Sequence, residues 1–367
     1  MRRRAAWLAL TALALAAVGY LALSGGGGHG PRAPQRIEIG LEDDPVFVRR
    51  DYYDRELAFA QARRLGVSWL RVVVPWHTVA ARAGYDWTVY DGLVSASRAH
   101  GMHVEMVLAG PAPAWATADG RVGVDRPDAG RFAGFARSAA RHFRGLISRY
   151  SIWNEPNHVA WLAPLRDAPG VYRRLYEAGW QAIKRADPTA QVLIGETSPY
   201  GRPGKVTPPL RFLRAVVCAS GHCRPLHADG YAHHPYDFVH PPERPYPGAD
   251  NVTVGSLPRL TFALDRLARA GLLSTPGGAP LPMYLTEFGY FRSGARALPP
   301  GTRAAYLVRA FAIAARAYPR VRQMLQYLLV APPRGYPGGN FDTSLLTQSG
   351  APTPAFRALE AWARTAP

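Results

Sequence analysis

From residue 36 onward, short runs rich in β-branched and aromatic residues alternate with longer Ala-, Arg- and Leu-rich stretches of helical period. That order marks a parallel α/β fold, in which each strand is followed by a crossover helix. Eight strand candidates can be read: RIEIGLE from Arg36, WLRVVVPW from Trp69, HVEMVLAG from His103, SRYSIWNE from Ser148, QVLIGET from Gln191, ADGYAHHPY from Ala228, PMYLTEFGY from Pro282 and RQMLQYLLV from Arg322. Helical segments such as DRELAFAQARRLG and YDGLVSASRAHG each close on a Gly suited to a helix C-cap. RFAGFARSAARHF, VYRRLYEAGWQAIKRADP, RLTFALDRLARAG, TRAAYLVRAFAIAARAYP and TPAFRALEAWART continue the pattern. Eight alternations predict one (β/α)8 barrel over residues 36–367. A doubly wound open sheet is the weaker alternative, because GLEDDPVFV after the first strand has no glycine-rich phosphate turn.

Residues 1–35 read differently. MRRR precedes the nineteen-residue apolar run AAWLALTALALAAVGYLAL, and SGGGGHGPRAP follows it. Basic residues, an apolar run and a Gly-rich spacer in that order predict a signal peptide or membrane anchor over 1–24 and a linker over 25–35. The run approaches the ~20 residues that span a bilayer, which favours an uncleaved anchor. Ala22-Leu23-Ser24 before Gly25 offers a cleavage site for a secreted form. With the arginines held inside, either reading places the body of the chain outside the cytoplasm. The two cysteines, Cys218 and Cys223 in CASGHC, agree, since a pair in an exported chain predicts one disulfide closing a short loop. Two free buried thiols are an alternative; a zinc cluster with His222 and His227 is disfavoured by its spacing. No metal and no cofactor is expected.

The formal charge of +18 comes almost wholly from Arg, with Lys184 and Lys205 the only lysines. An acidic glycan would suit such a balance. A composition in which Arg, Ala, Gly and Pro all run high together explains it more simply, and export argues against a nucleic-acid partner.

Two acids stand out. Pro156 disfavours the α region for Glu155, so Glu155 sits where the fourth strand runs out into a loop. Glu287 in MYLTEFGY holds the same place after the seventh strand. In a barrel both lie at the C-terminal rim, where chemistry is done. Glycoside hydrolysis needs such a pair, one acid to protonate the leaving oxygen and one carboxylate to attack the anomeric carbon.

Trp153-Asn154-Glu155-Pro156 resembles the strand-four motif of the retaining glycoside hydrolases of clan A, families 5 and 39 among them, and Thr286-Glu287-Phe288-Gly289 resembles their strand-seven motif. The resemblance runs over nearly the whole chain after residue 36. It implies Glu155 as acid/base and Glu287 as nucleophile. Arg71 matches the clan's arginine near the nucleophile, and His234-Pro235-Tyr236 resembles its strand-six His-x-Tyr. Pro113-Ala114-Trp115 and Trp161 resemble aromatic positions around the cleft.

The physical roles expected are these. Asn154 bonds the sugar 2-hydroxyl; Arg71 favours charged Glu287, while Glu155 needs less positive surroundings to keep its proton. Tyr236 orients the nucleophile and His234 binds a sugar hydroxyl, with His233 next door competing for the inward position. Trp76, Trp115 and Trp161 offer flat faces to sugar rings. Glu196, Glu42, Asp43 and Asp44 are left as structural or subsite residues, and Glu105 as a buried hydrogen-bonded acid. One departure is clear: QYLLVAPP offers Tyr327 where the clan often carries a strand-eight Trp. The long irregular stretch Pro235–Pro258, with a sequon at Asn251 that is given no role, is expected to wall the cleft. Together these predict a retaining β-glycoside hydrolase acting on an extracellular or cell-envelope oligo- or polysaccharide. Transglycosylation, or glycan binding with little turnover, are the alternatives.

Overall fold

In the computed structural model, which describes residues 36–81 and 84–365, eight parallel strands close into a barrel. They are β1 (Glu38–Glu42), β2 (Trp69–Pro75), β3 (His103–Ala109), β4 (Arg149–Ile152), β5 (Gln191–Thr197), β6 (Gly230–His233), β7 (Met283–Leu285) and β8 (Val321–Tyr327). Each pairs with the next in sequence, and β8 pairs back on β1 with Glu42 opposite Tyr327. One helix of nine or more residues follows each strand: α1 (Arg55–Arg64), α2 (Thr88–Ala99), α3 (Ala129–His142), α4 (Ala168–Ala186), α5 (Pro209–Val217), α6 (Leu257–Arg269), α7 (Pro300–Arg316) and α8 (Pro354–Thr365). The signal or anchor expected over 1–24 and the linker over 25–35 lie outside the described residues. Among the described residues no helix is long and apolar enough to cross a membrane.

The local chemistry accounts for the helices. Asp54 and Asp128 accept the backbone N–H of Leu57 and Arg131 and so cap α1 and α3. Along α3, Phe132, Phe135, Ala136, Ala139 and Ala140 are buried, the spacing of one helical face against the barrel. The sequence reading missed α5. It is short and follows two prolines, but one of them starts the helix, and Leu210, Leu213 and Val217 form its buried stripe.

Several expected strands end sooner than their apolar runs. The fourth stops at Ile152 and the seventh at Leu285, so Glu155 and Glu287 stand beyond the pairing. At this rim Trp153, Glu155, Glu196 and Leu328 all take positive φ, of 67°, 38°, 48° and 57°. Such backbone is costly for residues other than Gly and clusters where side chains must be aimed. In β5 the register on β6 shifts between Gly195 and Thr197, with Gly195 at φ 119° and so close to β6 that a Cβ would collide with the carbonyl oxygen of Ala232. This bulge turns Glu196 into the barrel. The expected disulfide joins Cys218 to Cys223 just after α5.

Candidate active site

Arg71, in the middle of β2 and fully buried, is the fulcrum of the rim. Its Nη1 donates to Glu42 and to Glu287 Oε1, the latter at 2.9 Å; its Nη2 donates to Asn154 Oδ1 at 2.8 Å and Glu196 Oε2 at 2.9 Å. Because a guanidinium only donates, Asn154 must turn its oxygen to Arg71, which leaves its NH2 for the cavity that Asn154 lines. Tyr236 donates to Glu287 Oε2 at 3.1 Å, so Arg71 and Tyr236 hold one oxygen each of that carboxylate. Burial keeps the Tyr236 phenol protonated by raising it well above its ordinary value.

His234 is fully buried just past β6. Its Nδ1 faces Glu155 Oε1 at 3.1 Å, and its Nε2 faces Glu196 Oε2 at 2.7 Å and Glu287 Oε1 at 3.6 Å. Burial works against a charged ring, but Glu287 first, and then the hydrogen bonds to Glu155 and Glu196, hold it up to about 10. Glu196 is the counterweight. It also accepts from Thr286 Oγ1 at 2.8 Å, and Arg71 and His234 overcome its burial to pull it down to about 2. Burial has the opposite outcome at Glu42, which it raises well above the usual carboxylate range despite Arg71.

Four expectations need correction here. Glu155 does not have less positive surroundings: burial would raise it, but the hydrogen bond to His234 and that ring's charge pull it below its ordinary value. His234 cannot bind a sugar hydroxyl, since carboxylates occupy both its nitrogens. Trp76 is core, fully buried and stacked parallel to Phe135 at 5.6 Å. Trp115 lies about half exposed, edge-on to Trp76 at 5.6 Å with Arg131 over its face, and does not line the cavity. Both tryptophans follow strands, but their loops fold back onto α3 rather than over the barrel mouth.

The remaining positions sort by what they touch. His233 donates its Nε2–H to the Val252 carbonyl at 2.9 Å and accepts at Nδ1 from Thr197 Oγ1 at 2.8 Å; burial lowers it to about 4, and it is a packing residue. Asp43 accepts the N–H groups of Leu329 and Val330, both at 3.0 Å, tying the β1 rim to the β8 rim. Asp44 accepts from Val73 N at 3.1 Å and, with Glu42, lines the cavity. Glu105 is buried as expected, with Gln323 beside it but neither oxygen in a hydrogen bond of ordinary geometry; Arg149 stands at 3.6 Å, and burial pushes the carboxyl to about 7.

Above this floor opens a cavity of about 690 Å³. Trp161, Tyr200, Tyr236, Tyr327, Tyr336 and Phe341 give it aromatic walls, with Glu155 and Glu287 at its base. Tyr327 therefore faces the cavity where a strand-eight Trp was missed, and the stretch after Pro235 contributes Tyr236 and Phe238 to the wall. Among the described residues no three His, Cys, Asp or Glu side chains are grouped to hold a metal ion. The part sequence reasoning missed is Glu196; a Gly before the acid inside a strand was the available signal of a bulge.

No protein-family model matches the chain, and sequence comparison with curated proteins finds no match. Among solved structures it is similar to a family 39 glycoside hydrolase from the gut symbiont Bacteroides cellulosilyticus WH2, with a TM-score of 0.70 and 22% identity over 90% of this chain and 64% of that one. A family 39 enzyme from Xanthomonas axonopodis pv. citri gives a TM-score of 0.59 at 18% identity, over 92% of this chain and 71% of that one. Xylanase 10B from Thermotoga maritima gives 0.59 at 17%, over 90% and 96%. This chain thus spans 64% of the length of the Bacteroides enzyme. The likeness establishes a shared barrel fold with glycoside hydrolases.

Proposed function

We propose that the chain is a retaining β-glycoside hydrolase that works by double displacement on an extracellular or cell-envelope oligo- or polysaccharide. The observation that carries this reading is the placement of Glu155 and Glu287 against opposite nitrogens of one buried imidazole, at the base of an aromatic-walled cavity. Aromatic faces suit the apolar faces of sugar rings, and a carboxyl pair is what glycoside cleavage needs. Export, by anchor or by secretion, is part of the same reading, and the Cys218–Cys223 disulfide supports it.

In this mechanism Glu287 attacks the anomeric carbon while the bond to the leaving oxygen breaks. Glu155 delivers a proton to that oxygen. Because His234 holds its charge beside an ionised Glu155, the pair carries one proton between them, and the ring passes its Nδ1 proton to Glu155 as the leaving oxygen is protonated. The step leaves a glycosyl ester on Glu287, neutral His234 and ionised Glu155. The ester also removes the negative charge that does most to hold the proton on His234. Glu155 is then ready as a base: water attacks the anomeric carbon, Glu155 takes its proton, and Glu287 leaves as a carboxylate.

The test uses the separate tasks of the two acids. Glu287→Gln abolishes turnover of every substrate. Glu155→Ala still glycosylates with a good leaving group, stalls at the ester, and is rescued by azide with formation of the β-glycosyl azide. Products of inverted configuration, or no rescue, would overturn the assignment.

A further inference from the structure

The cavity wall carries charge that the two-acid chemistry does not use. Arg49, Arg202 and Arg296 all line it. Arg49 is spoken for, since it donates to Asp51 at 2.9 Å and to the Tyr336 hydroxyl at 3.0 Å. The other two have no carboxylate partner among the described residues. The Arg296 guanidinium lies over the rings of Phe291 at 4.1 Å and Phe238 at 4.8 Å. Stacking of that kind holds the plane of the group and leaves its N–H edges available for a bidentate acceptor.

Arg202 sits in a corner with a surplus of donors. Its Nη2 approaches His158 Nε2 at 2.8 Å, while the backbone N–H of Ala160 donates to His158 Nδ1 at 3.0 Å. A neutral imidazole has one acceptor nitrogen. With Nδ1 accepting from Ala160, Nε2 carries the hydrogen and meets the guanidinium donor against donor. A charged ring there would be worse, and burial first, with Arg202 and Lys205 and against the pull of Glu155, does push His158 below its ordinary value. An anionic oxygen seated at this corner would satisfy both donors at once.

The two arginines converge on one part of the wall. Arg202, Arg296 and Tyr200 all line the cavity, and burial, Tyr246 and Asp237 raise the Tyr200 phenol while the charges of Arg202 and Arg296 both pull against that rise. Arg202 follows β5 and Arg296 follows β7, so loops on either side of β6 bring them to the ring that stacks on Tyr246 at 4.5 Å. Of the acids that line the cavity, Glu42, Asp44 and Glu287 belong to its floor; Glu155 acts on His158 and the buried Asp237 on Tyr200, but among the described residues neither forms an ion pair with Arg202 or Arg296.

We propose that the cavity is specific for a glycan bearing a negatively charged substituent, a uronate carboxylate or a sulfate ester, held by Arg202 and Arg296 against the Tyr200 wall. The ligand class rests on the glycosidase reading. The pair then acts as a specificity filter: a neutral glycan fits the aromatic walls but leaves two guanidinium groups and the His158 corner without an acceptor.

The full chain carrying Glu287→Gln is titrated by calorimetry with glucuronate- and galacturonate-containing oligosaccharides and their carboxyl-reduced twins. A second arm uses chondroitin sulfate oligosaccharides and their desulfated twins, which separates a carboxylate from a sulfate as the recognised group. At least one anionic ligand should bind roughly tenfold or more tightly than its neutral twin, as charge-assisted hydrogen bonds give. The preference should shrink with added salt. R202Q and R296Q should each erode it, weakening the anionic ligand several-fold more than its neutral twin. Thermal melting of the wild-type chain with the same ligands reads the preference without the Glu287 variant. The proposal is overturned if no anionic ligand outbinds its twin, or if the preference survives both arginine substitutions. Turnover by the wild-type chain is scored separately: binding preference without hydrolysis sinks the glycosidase reading alone, and hydrolysis without preference sinks only the present one.

Discussion

Two arginines are buried inside the barrel, one toward each end, and their surroundings differ in kind. At the N-terminal end Arg149 donates twice to Glu38, at 2.7 and 3.2 Å, and to Gln191 at 3.0 Å, while Trp69 and Tyr284 cover its two faces at 3.8 and 4.4 Å. Toward the C-terminal end Arg71 meets Glu42, Glu196 and Glu287 but, among the described residues, has no aromatic ring over it, and two of those acids line a cavity. A buried cation that is fully capped can only hold the fold together. One that shares itself among three carboxylates beside open space fixes where negative charge stands when a ligand arrives. In a barrel of this type the bottom is the place of stability and the top the place of chemistry.

The largest effect that could break this contrast is expected at Arg71. Arg71→Met should lower turnover by about 100- to 1000-fold, the scale of losing a preorganised charged donor, and should also lower the melting temperature because Glu196 and Glu287 lose their partner. Arg149→Met should destabilise comparably, by about 3–5 kcal/mol as for other broken buried pairs, yet leave kcat/KM of the folded fraction unchanged when measured well below its Tm. Equal losses of turnover in the two variants would erase the distinction between the ends.

His234 sharpens the comparison through pH. A ring that titrates at 6.5 in the unfolded chain and at about 10 in the folded one stabilises fully below 6.5, and that contribution disappears as pH rises through 10. His234→Asn should therefore show a flatter Tm between pH 7 and 10 than wild type. Its kcat should fall by about 100-fold on poor leaving groups, the low end of general-acid effects, and far less on good ones. A uniform loss across leaving groups would leave the ring as scaffolding only.

The smallest effect concerns Glu105 beside Arg149. A carboxyl raised from 4.5 to about 7 has its stabilising contribution in full below 4.5 and loses it as pH climbs through 7. Glu105→Gln should then raise Tm by roughly 2–4 °C at pH 8, the shift that follows a gain of about 1 kcal/mol, and hardly at all at pH 4. A drop in Tm at pH 8 would show that the charge is needed at the bottom after all.

How much of this could be read from the sequence depended on which force decided each position. Buried parallel strands are continuous apolar runs, so QVLIGET and WLRVVVPW announced β5 and β2 almost to the residue. Glu155 and Glu287 were legible because Pro156 and the loss of apolar residues mark where their strands end. Trp76 and Trp161 could not be told apart, since both follow strands and only the course of the loops sends one into the α3 interface and the other to the cavity. His233 and His234 differ by a single step of the chain, which puts one against Val252 and the other among the acids. Glu196 was harder to read for another reason: Gly195 hints at a bulge, but the direction of the acid is set by a register shift, which is a property of two strands and not of the one that carries it.

That shift makes the cluster depend on how β5 is paired more than on which residues surround Glu196. Substitutions that keep the bulge would leave Glu196 aimed inward, whereas one that flattened it, so that every residue of β5 followed simple alternation, would turn Glu196 to the opposite face. Lineages descending from this barrel could thus drift in sequence along β5 so long as the bulge persists, while its loss would take from His234 the Glu196 carboxylate that anchors it at 2.7 Å.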